Sequence, residues 1–439
     1  MTDLTNVLPQ QSKTVEAIFA HYKQAGDSEP KRGYLGASIL GHSCDRYLWY
    51  CFRQCCKPEF DGRMYRLFET GDLAEARFVA DLRAIGCEVH DVDPATGQQF
   101  EVLALGGHFS GHMDGCVLGL PEAPKTWHVT EFKTHNAKSF TRLKSKGVQE
   151  AKPQHYGQMQ AYMHLTGMKR ALYLAVNKDT DELYSERVHY DKTKAGALMD
   201  RARRIITTNE PPPRIAARSD WYECKWCDAR DLCWATGDKP LPLPSISCRQ
   251  CCLATPMMDG HARWVCEKHA RSLAPADQDR ACEDHLLLPG LLPFADPIDH
   301  GKDSQGHDYI TFQLGELGVI WHGRGQGCCT SQELCAVPVT ALVNSAVATA
   351  KGLFDAAATG FCADDILARY PAADSRIVWQ GRASQLVAAW KEQYGEELGD
   401  LEPVVKCDGG DYRAAEYGRD RVAIFYPITK EAEIREGVS

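Results

Sequence analysis

The chain reads as an α/β protein: a mixed central sheet flanked by helices, followed by smaller elements. Two observations predict this. Between residues 12 and 210 the periodic segments run helix, three or more strands, helix, two strands, helix, the order of an α/β sandwich. With 439 residues, 44% hydrophobic and 25% charged, the chain is of ordinary globular composition and too long for one domain. Composition shifts divide it into a main domain over 1–240, a cysteine-rich element over 241–289 and an α+β C-terminal domain over 290–439. No apolar run approaches the roughly 20 residues of a membrane helix. MTDLTNVLPQQSK lacks the basic and apolar regions of a secretory signal, so a cytoplasmic protein is expected, its 19 cysteines reduced and some of them metal ligands.

Residues 12–25 place Val15, Ile18, Phe19 and Tyr22 at helical spacing. After a polar link, Ser38 is the expected N-cap of a helix holding Ile39, Leu40, Tyr47 and Leu48, with Cys44 near its first turns. Residues 64–86 predict a long amphipathic helix ended by Gly86, with Glu75 near its middle. For Glu75 the plain alternative is a surface acid paired with Arg77 or Arg66. Four strand-like runs follow: CEVHDVD, QQFEVLAL, HFSGHMDGCVLG and TWHVTEFKTH. A helix starts near Pro153, with Gln158 and Tyr162 on one face. RALYLAVNK and ELYSERVHY form a hairpin across Asp179–Asp181, and KTKAGALMDRARRIITTN a helix stopped by Pro211–Pro213. KPLPLPSIS is a linker. Beyond 290 the sequence predicts an Ala-rich helix from Val337, another near 383–394, and a terminal hairpin.

The chemistry centres on Gly111–His135. Asp114 supplies one carboxylate, on the strand expected to neighbour that of Glu131 and Lys133. These two lie two apart on a strand and so share a face. Mg²⁺ or Mn²⁺ is held by one or two carboxylates plus phosphate oxygens. Asp114, Glu131 and the Phe132 carbonyl can supply such a site, and Glu75 can complete it. Lys133 can orient an attacking water or stabilise developing charge. The plain alternative is an exposed Glu131–Lys133 ion pair. A net charge of −9 argues against a strongly basic nucleic-acid binder. Locally the balance reverses: Lys133, Lys138, Arg142, Lys144, Lys146 and Lys152 face only Glu150 within residues 133–152, a patch suited to DNA phosphates or else a solvated helix face.

Two cysteine groups stand out. Cys224-x2-Cys227-x5-Cys233 can hold zinc or an iron–sulfur cluster, each needing a fourth thiolate. Cys248-x2-Cys251, followed after fourteen residues by Cys266, has zinc-ribbon spacing, with one of His269, Cys282 or His285 as fourth ligand. Cys51, Cys55 and Cys56 are expected in a core helix. His322, Cys328, Cys329 and Cys335 match no trusted spacing, and HGRGQG lacks the GK[ST] of a phosphate loop.

With Gly-x-x-x-Glu at 71–75, GHMDG, EFK and QMQAY, residues 35–210 resemble the PD-(D/E)xK nuclease superfamily, nearest its RecB-like and phage lambda-type exonuclease branch. Met113 stands where the family carries proline. The resemblance implies a restriction-endonuclease-like fold. It implies metal binding by Asp114 and Glu131, catalysis by Lys133, a helical acid at Glu75, and DNA contact and positioning by Gln158 and Tyr162. In iron–sulfur members a cysteine before the core joins a C-x2-C-x5-C triplet after it. That implies a [4Fe–4S] cluster on Cys44, Cys224, Cys227 and Cys233, clasping the ends of the nuclease domain. The expected activity is a Mg²⁺- or Mn²⁺-dependent DNA exonuclease. A processing endonuclease and a vestigial DNA-binding adaptor are the rivals, and the C-terminal domain is a candidate surface for a protein partner.

Overall fold

In the computed structural model, residues 12–303, 305–315, 317–325 and 328–342 are described, with the backbone of 404–407, 410–417 and 422–427. The Ala-rich helix beyond residue 342 and the helix near 383–394 lie outside these. The chain is mixed α/β and forms two compact units, residues 1–230 with 254–278, and 231–253 with 279–439.

The first unit opens with α1 (Lys13–Asp27), β1 (Leu35–Gly36) and α2 (Asp45–Phe52). Ser38 is not the N-cap of α2; it lies in a 3-10 turn, Ala37–Ile39, and Cys44 caps α2 with its sulfur accepting from Tyr47 N at 3.4 Å. Arg201 explains the delayed start: its guanidinium donates to the Leu40 carbonyl (2.7 Å) and the His42 carbonyl (2.6 Å) and pairs with Asp45, so the intervening loop stays open. α3 (Gly62–Ala84) is the predicted long helix, capped by Asp61.

β2 (Glu88–His90), β5 (Cys116–Leu118), β6 (His128–His135), β7 (Arg170–Asn177) and β8 (Leu183–His189) form the central sheet in that order. β6 and β7 are parallel and the other pairs antiparallel, the mixed sheet the sequence predicts. β3 (Glu101–Ala104) and β4 (Phe109–His112) form a second, smaller sheet with β1. HFSGHMDGCVLG therefore breaks into two strands in different sheets, and Asp114 lies in the turn between them rather than on a strand. Gly115 makes the break: at φ +135° it adopts a backbone few other residues accept, and a Cβ there would meet the His90 carbonyl oxygen at 2.4 Å.

The sheet is covered on both faces. Phe78, Val79 and Leu82 of α3 pack with Phe132, Leu172 and Leu174, and the Phe78 and Phe132 rings stack at 5.2 Å. On the opposite face lie α4 (Ala137–Ala151), through Phe140 against Tyr184, and α5 (Pro153–Thr166), through His155 against Tyr173. Register puts Glu131 beside Tyr173 and Lys133 beside Ala175 on that second face. α6 (Lys192–Thr207) follows, as predicted.

α7 (Tyr222–Lys225) and α8 (Arg230–Cys233) carry the cysteine triplet. The stretch 241–289 is divided between the units. β9 (Ala254–Pro256), β10 (Trp264–Cys266) and β11 (Arg271–Leu273) form an antiparallel sheet, followed by α9 (Pro275–Gln278), all within the first unit. The anchor is Trp264, fully buried, stacked on Phe52 at 5.7 Å and under the Arg53 guanidinium at 5.0 Å.

The second unit holds an antiparallel sheet of β12 (Asp296–Lys302), β13 (Asp308–Gln313) and β14 (Val319–Gly323). It also holds α10 (Ser331–Ala336), started by a Thr330–Glu333 capping box. The expected terminal hairpin is a three-stranded antiparallel sheet: β15 (Val404–Cys407), β16 (Gly410–Tyr417) and β17 (Val422–Pro427).

Candidate active site

Asp114, Glu131 and Lys133 come together. The turn after β4 aims Asp114 at β6, where its Oδ2 accepts from Phe132 N at 2.7 Å. The Lys133 ammonium lies 2.7 Å from Glu131 Oε1 and 3.7 Å from Asp114 Oδ2, and donates to the Phe132 carbonyl at 2.8 Å. The exposed ion pair of the plain alternative is absent, because Glu131 is 0% exposed. Lys133 is the one group that meets Oε1, at 2.7 Å, and among the described residues Oε2 has no hydrogen-bond partner. A native buried polar group without one is exceptional.

The charges reflect this enclosure. Burial, reinforced by Asp114 and opposed by Lys133, pushes Glu131 up to about 7. Burial alone would lower Lys133, but Glu131 and Asp114 outweigh it and hold the ammonium above its usual range. Glu75 is half-buried, and burial with the nearby Asp114 raises it to about 7, against the pull of Lys133. Of its two alternative partners, Arg77 is engaged elsewhere, in a two-pronged bond to Asp181 at 2.7 and 2.8 Å.

Gln158 and Tyr162 sit behind this cluster. The Gln158 amide donates to the Tyr162 hydroxyl (3.1 Å), which donates to the His112 carbonyl (2.7 Å), two residues before Asp114. Gly111 permits this approach, since a Cβ there would meet the Tyr162 ring at 2.6 Å. Of the basic patch, Lys144 is paired with Glu182 and Lys146 with Glu150. Lys138, Arg142 and Lys152 have no carboxylate partner among the described residues.

Three residues of this face escaped the sequence reading: His135, His155 and Tyr173. His135 continues the two-residue period of Glu131 and Lys133, and His155 lies three residues before Gln158 on α5, so a signal existed. The Tyr173 hydroxyl bridges His135 Nε2 (2.8 Å) and His155 Nδ1 (2.9 Å), and Ser139 Oγ reaches His135 Nδ1 (3.2 Å).

Among the cysteines, Cys44 caps α2 and lies in the first unit with Cys224 and Cys227, while Cys233 ends α8. Cys55 is buried, whereas Cys51 and Cys56 are half-buried, 4.0 Å apart, and only Cys51 is in the helix. Cys248 opens a 3-10 turn capped by Ser247, and Cys251 bridges to Leu287. Cys266 ends β10, and His269 follows it in the turn before β11. Cys282 lies in the second unit, as does His285, whose two ring nitrogens are taken, by Ser331 Oγ (2.7 Å) and the Ser247 carbonyl (3.0 Å). His285 thus offers a metal no open nitrogen. His322 is likewise engaged at both nitrogens, by the Cys329 carbonyl and Leu287 N.

No helix among the described residues is long and apolar enough to cross a membrane. No protein-family model and no curated protein matches the chain. Among solved structures, that of SSO0001 covers 51% of this chain and 98% of its own at 15% identity and TM-score 0.32. LHK-Exo, an alkaline exonuclease from Laribacter hongkongensis, covers 43% of this chain and 90% of its own at 19% identity and TM-score 0.28; its complex with dAMP gives 17% and 0.29. At these identities and scores the likenesses assign the chain to no family.

Proposed function

We propose that this protein is a metal-dependent DNA nuclease, an exonuclease acting from DNA ends in DNA processing. The observation that carries the reading is Glu131: a fully buried carboxylate whose Oε1 meets the Lys133 ammonium at 2.7 Å and whose Oε2 has no hydrogen-bond partner among the described residues, with Asp114 3.7 Å from the same ammonium. A buried charge held this way is costly unless a ligand completes it.

Asp114 and Glu131, both beside the Lys133 ammonium, offer the hard oxygen donors that Mg²⁺ or Mn²⁺ takes. Asp114 and Glu131 would hold the ion, with Glu75 and the Phe132 carbonyl as further donors. When bound, the metal would supply Lewis acidity and lower the pKa of a water so that, once deprotonated, it can attack phosphorus. The chain's own groups do the rest. Lys133 stays cationic beside its carboxylates, so it serves as a donor to the attacking water or to developing phosphoryl charge, and not as the base. Tyr162 and Gln158 fix the strand that delivers Asp114. Lys138, Arg142 and Lys152 would take the substrate's flanking phosphates, with Lys144 and Lys146 free to exchange their surface carboxylates for DNA.

A [4Fe–4S] cluster on Cys44, Cys224, Cys227 and Cys233 is part of the proposal, supported by the C-x2-C-x5-C spacing of the last three and, for Cys44, by the family resemblance.

The test is metal-dependent cleavage of linear and covalently closed circular DNA. Linear DNA should be degraded and closed circles spared; cleavage of both makes the enzyme an endonuclease. Lys133→Ala should lower the rate by about a hundredfold or more. Intact linear DNA after incubation with metal-replete protein would leave a DNA-binding adaptor as the reading.

A further inference from the structure

Beside the carboxylate cluster runs a hydrogen-bonded chain that the reading above does not use: Ser139, His135, Tyr173, His155. His135 is two residues beyond Lys133 on the same strand face, about 7 Å along the strand. Tyr173 is fully buried at the register position next to Glu131. The His135 and His155 rings stack on one another at 6.1 Å, and both stack on Tyr173, at 6.4 and 5.8 Å. Together these contacts hold His155 in one orientation. Its Nδ1 is committed to Tyr173. Its Nε2 has no partner among the described residues and is not among the buried polar atoms left unsatisfied. That nitrogen therefore keeps some exposed surface on a ring that is otherwise largely enclosed.

We propose that His155 Nε2–H is a phosphate-binding donor that grips a non-bridging oxygen of the DNA strand between Lys133 and Lys152, with Tyr173 and His135 as positioning residues that set its tautomer. The direction of the chain decides what His155 presents. When Ser139 donates to His135 Nδ1, His135 Nε2–H donates to Tyr173, and Tyr173 donates to His155 Nδ1. The proton of His155 then sits on Nε2 and points outward. The reverse direction would present a lone pair, which a phosphate oxygen repels. Burial, then the charges of Lys133 and Lys152 among its neighbours, hold His155 down to about 3, so the ring stays neutral and acts as a directed donor, leaving the cationic role to the lysines. Burial and the same two lysines hold His135 at about 4. A neutral donor wired into a relay adds geometric selection that a lysine lacks.

This inference rests on the nuclease reading of the same site, and the test separates the two. Binding of a fluorescently labelled DNA oligonucleotide is measured by anisotropy with Ca²⁺ in place of Mg²⁺, alongside thermal melting of each variant. His155→Ala should weaken binding about tenfold, and His155→Gln, which keeps an N–H donor, should recover most of it. Tyr173→Phe keeps the buried ring but breaks the chain, and should weaken binding about fivefold. In a His155→Ala background Tyr173→Phe should add nothing, a non-additivity that loss of packing alone would not give. If the unmodified protein binds DNA and both single variants bind equally well, the proposal is overturned while the nuclease reading stands. If the unmodified protein does not bind DNA, both fall.

Discussion

At Glu131 the issue is what a fully buried carboxylate does with its charge. Without metal it competes for a proton, and burial with Asp114 moves its titration from the ordinary 4.5 to about 7; Glu75 moves the same way. Acids with raised native values hold protons that the unfolded chain has already released. Between about pH 4.5 and 7 the stability these two groups contribute to the metal-free protein therefore falls as pH rises. Metal binding must displace those protons, so affinity should climb with pH over the same window. Melting with and without Mn²⁺ at pH 6 and 8 checks this: the stabilisation by Mn²⁺ should be larger at pH 8, and an equal shift at both values contradicts it. The residue types were legible in the sequence, because EFK on a strand after GHMDG leaves few chemistries open. The burial of Glu131 was not. An acid–base pair two residues apart reads the same whether solvent or two helices cover it.

The turn between β4 and β5 does for the site what no side chain does alone. Gly115 lets the chain leave the smaller sheet, and Gly111 admits Tyr162, whose hydroxyl holds the His112 carbonyl ahead of Asp114. Gly111→Ala forces a Cβ to within 2.6 Å of the Tyr162 ring and of the Ala37 methyl. It should cost about 1–3 kcal/mol, read as a lower melting temperature. Tyr162→Phe keeps the packing and removes the hydroxyl. It should cost about 1 kcal/mol in stability, with a larger loss in cleavage rate than in DNA affinity, since the Asp114 turn is left less constrained. The Gln158–Tyr162 face was visible as an i, i+4 pair. The broken strand was hidden because HFSGHMDGCVLG alternates well enough to read as one strand. The clash that splits it comes from β2, which is distant in sequence. The start of α2 was misplaced for a similar reason: Arg201, about 160 residues on, holds the preceding loop open.

Across the whole molecule the sequence order predicted the mixed sheet and its flanking helices, since 3.6- and two-residue periods survive in each segment. Assignment of residues 254–278 to the first unit was not readable, because the anchor is one tryptophan, Trp264, inserted beside Phe52 and Arg53. Trp264→Ala should cost about 3–5 kcal/mol and destabilise that unit, seen as a shifted melting transition. The cysteine triplet makes a separate prediction. Protein purified without oxygen should be brown, with absorbance at about 400 nm that Cys224→Ala removes, whereas colourless, zinc-loaded protein would assign the triplet to zinc. The Asp114–Glu131–Lys133 cluster is the centre of the proposed chemistry, and its most direct test is release of acid-soluble nucleotide from linear DNA as Mn²⁺ is titrated. The unmodified protein should release nucleotide only with metal, and Asp114→Asn should reduce the rate by about a thousandfold at saturating Mn²⁺. Metal-independent release, or an Asp114→Asn variant as fast as the unmodified protein, would contradict it.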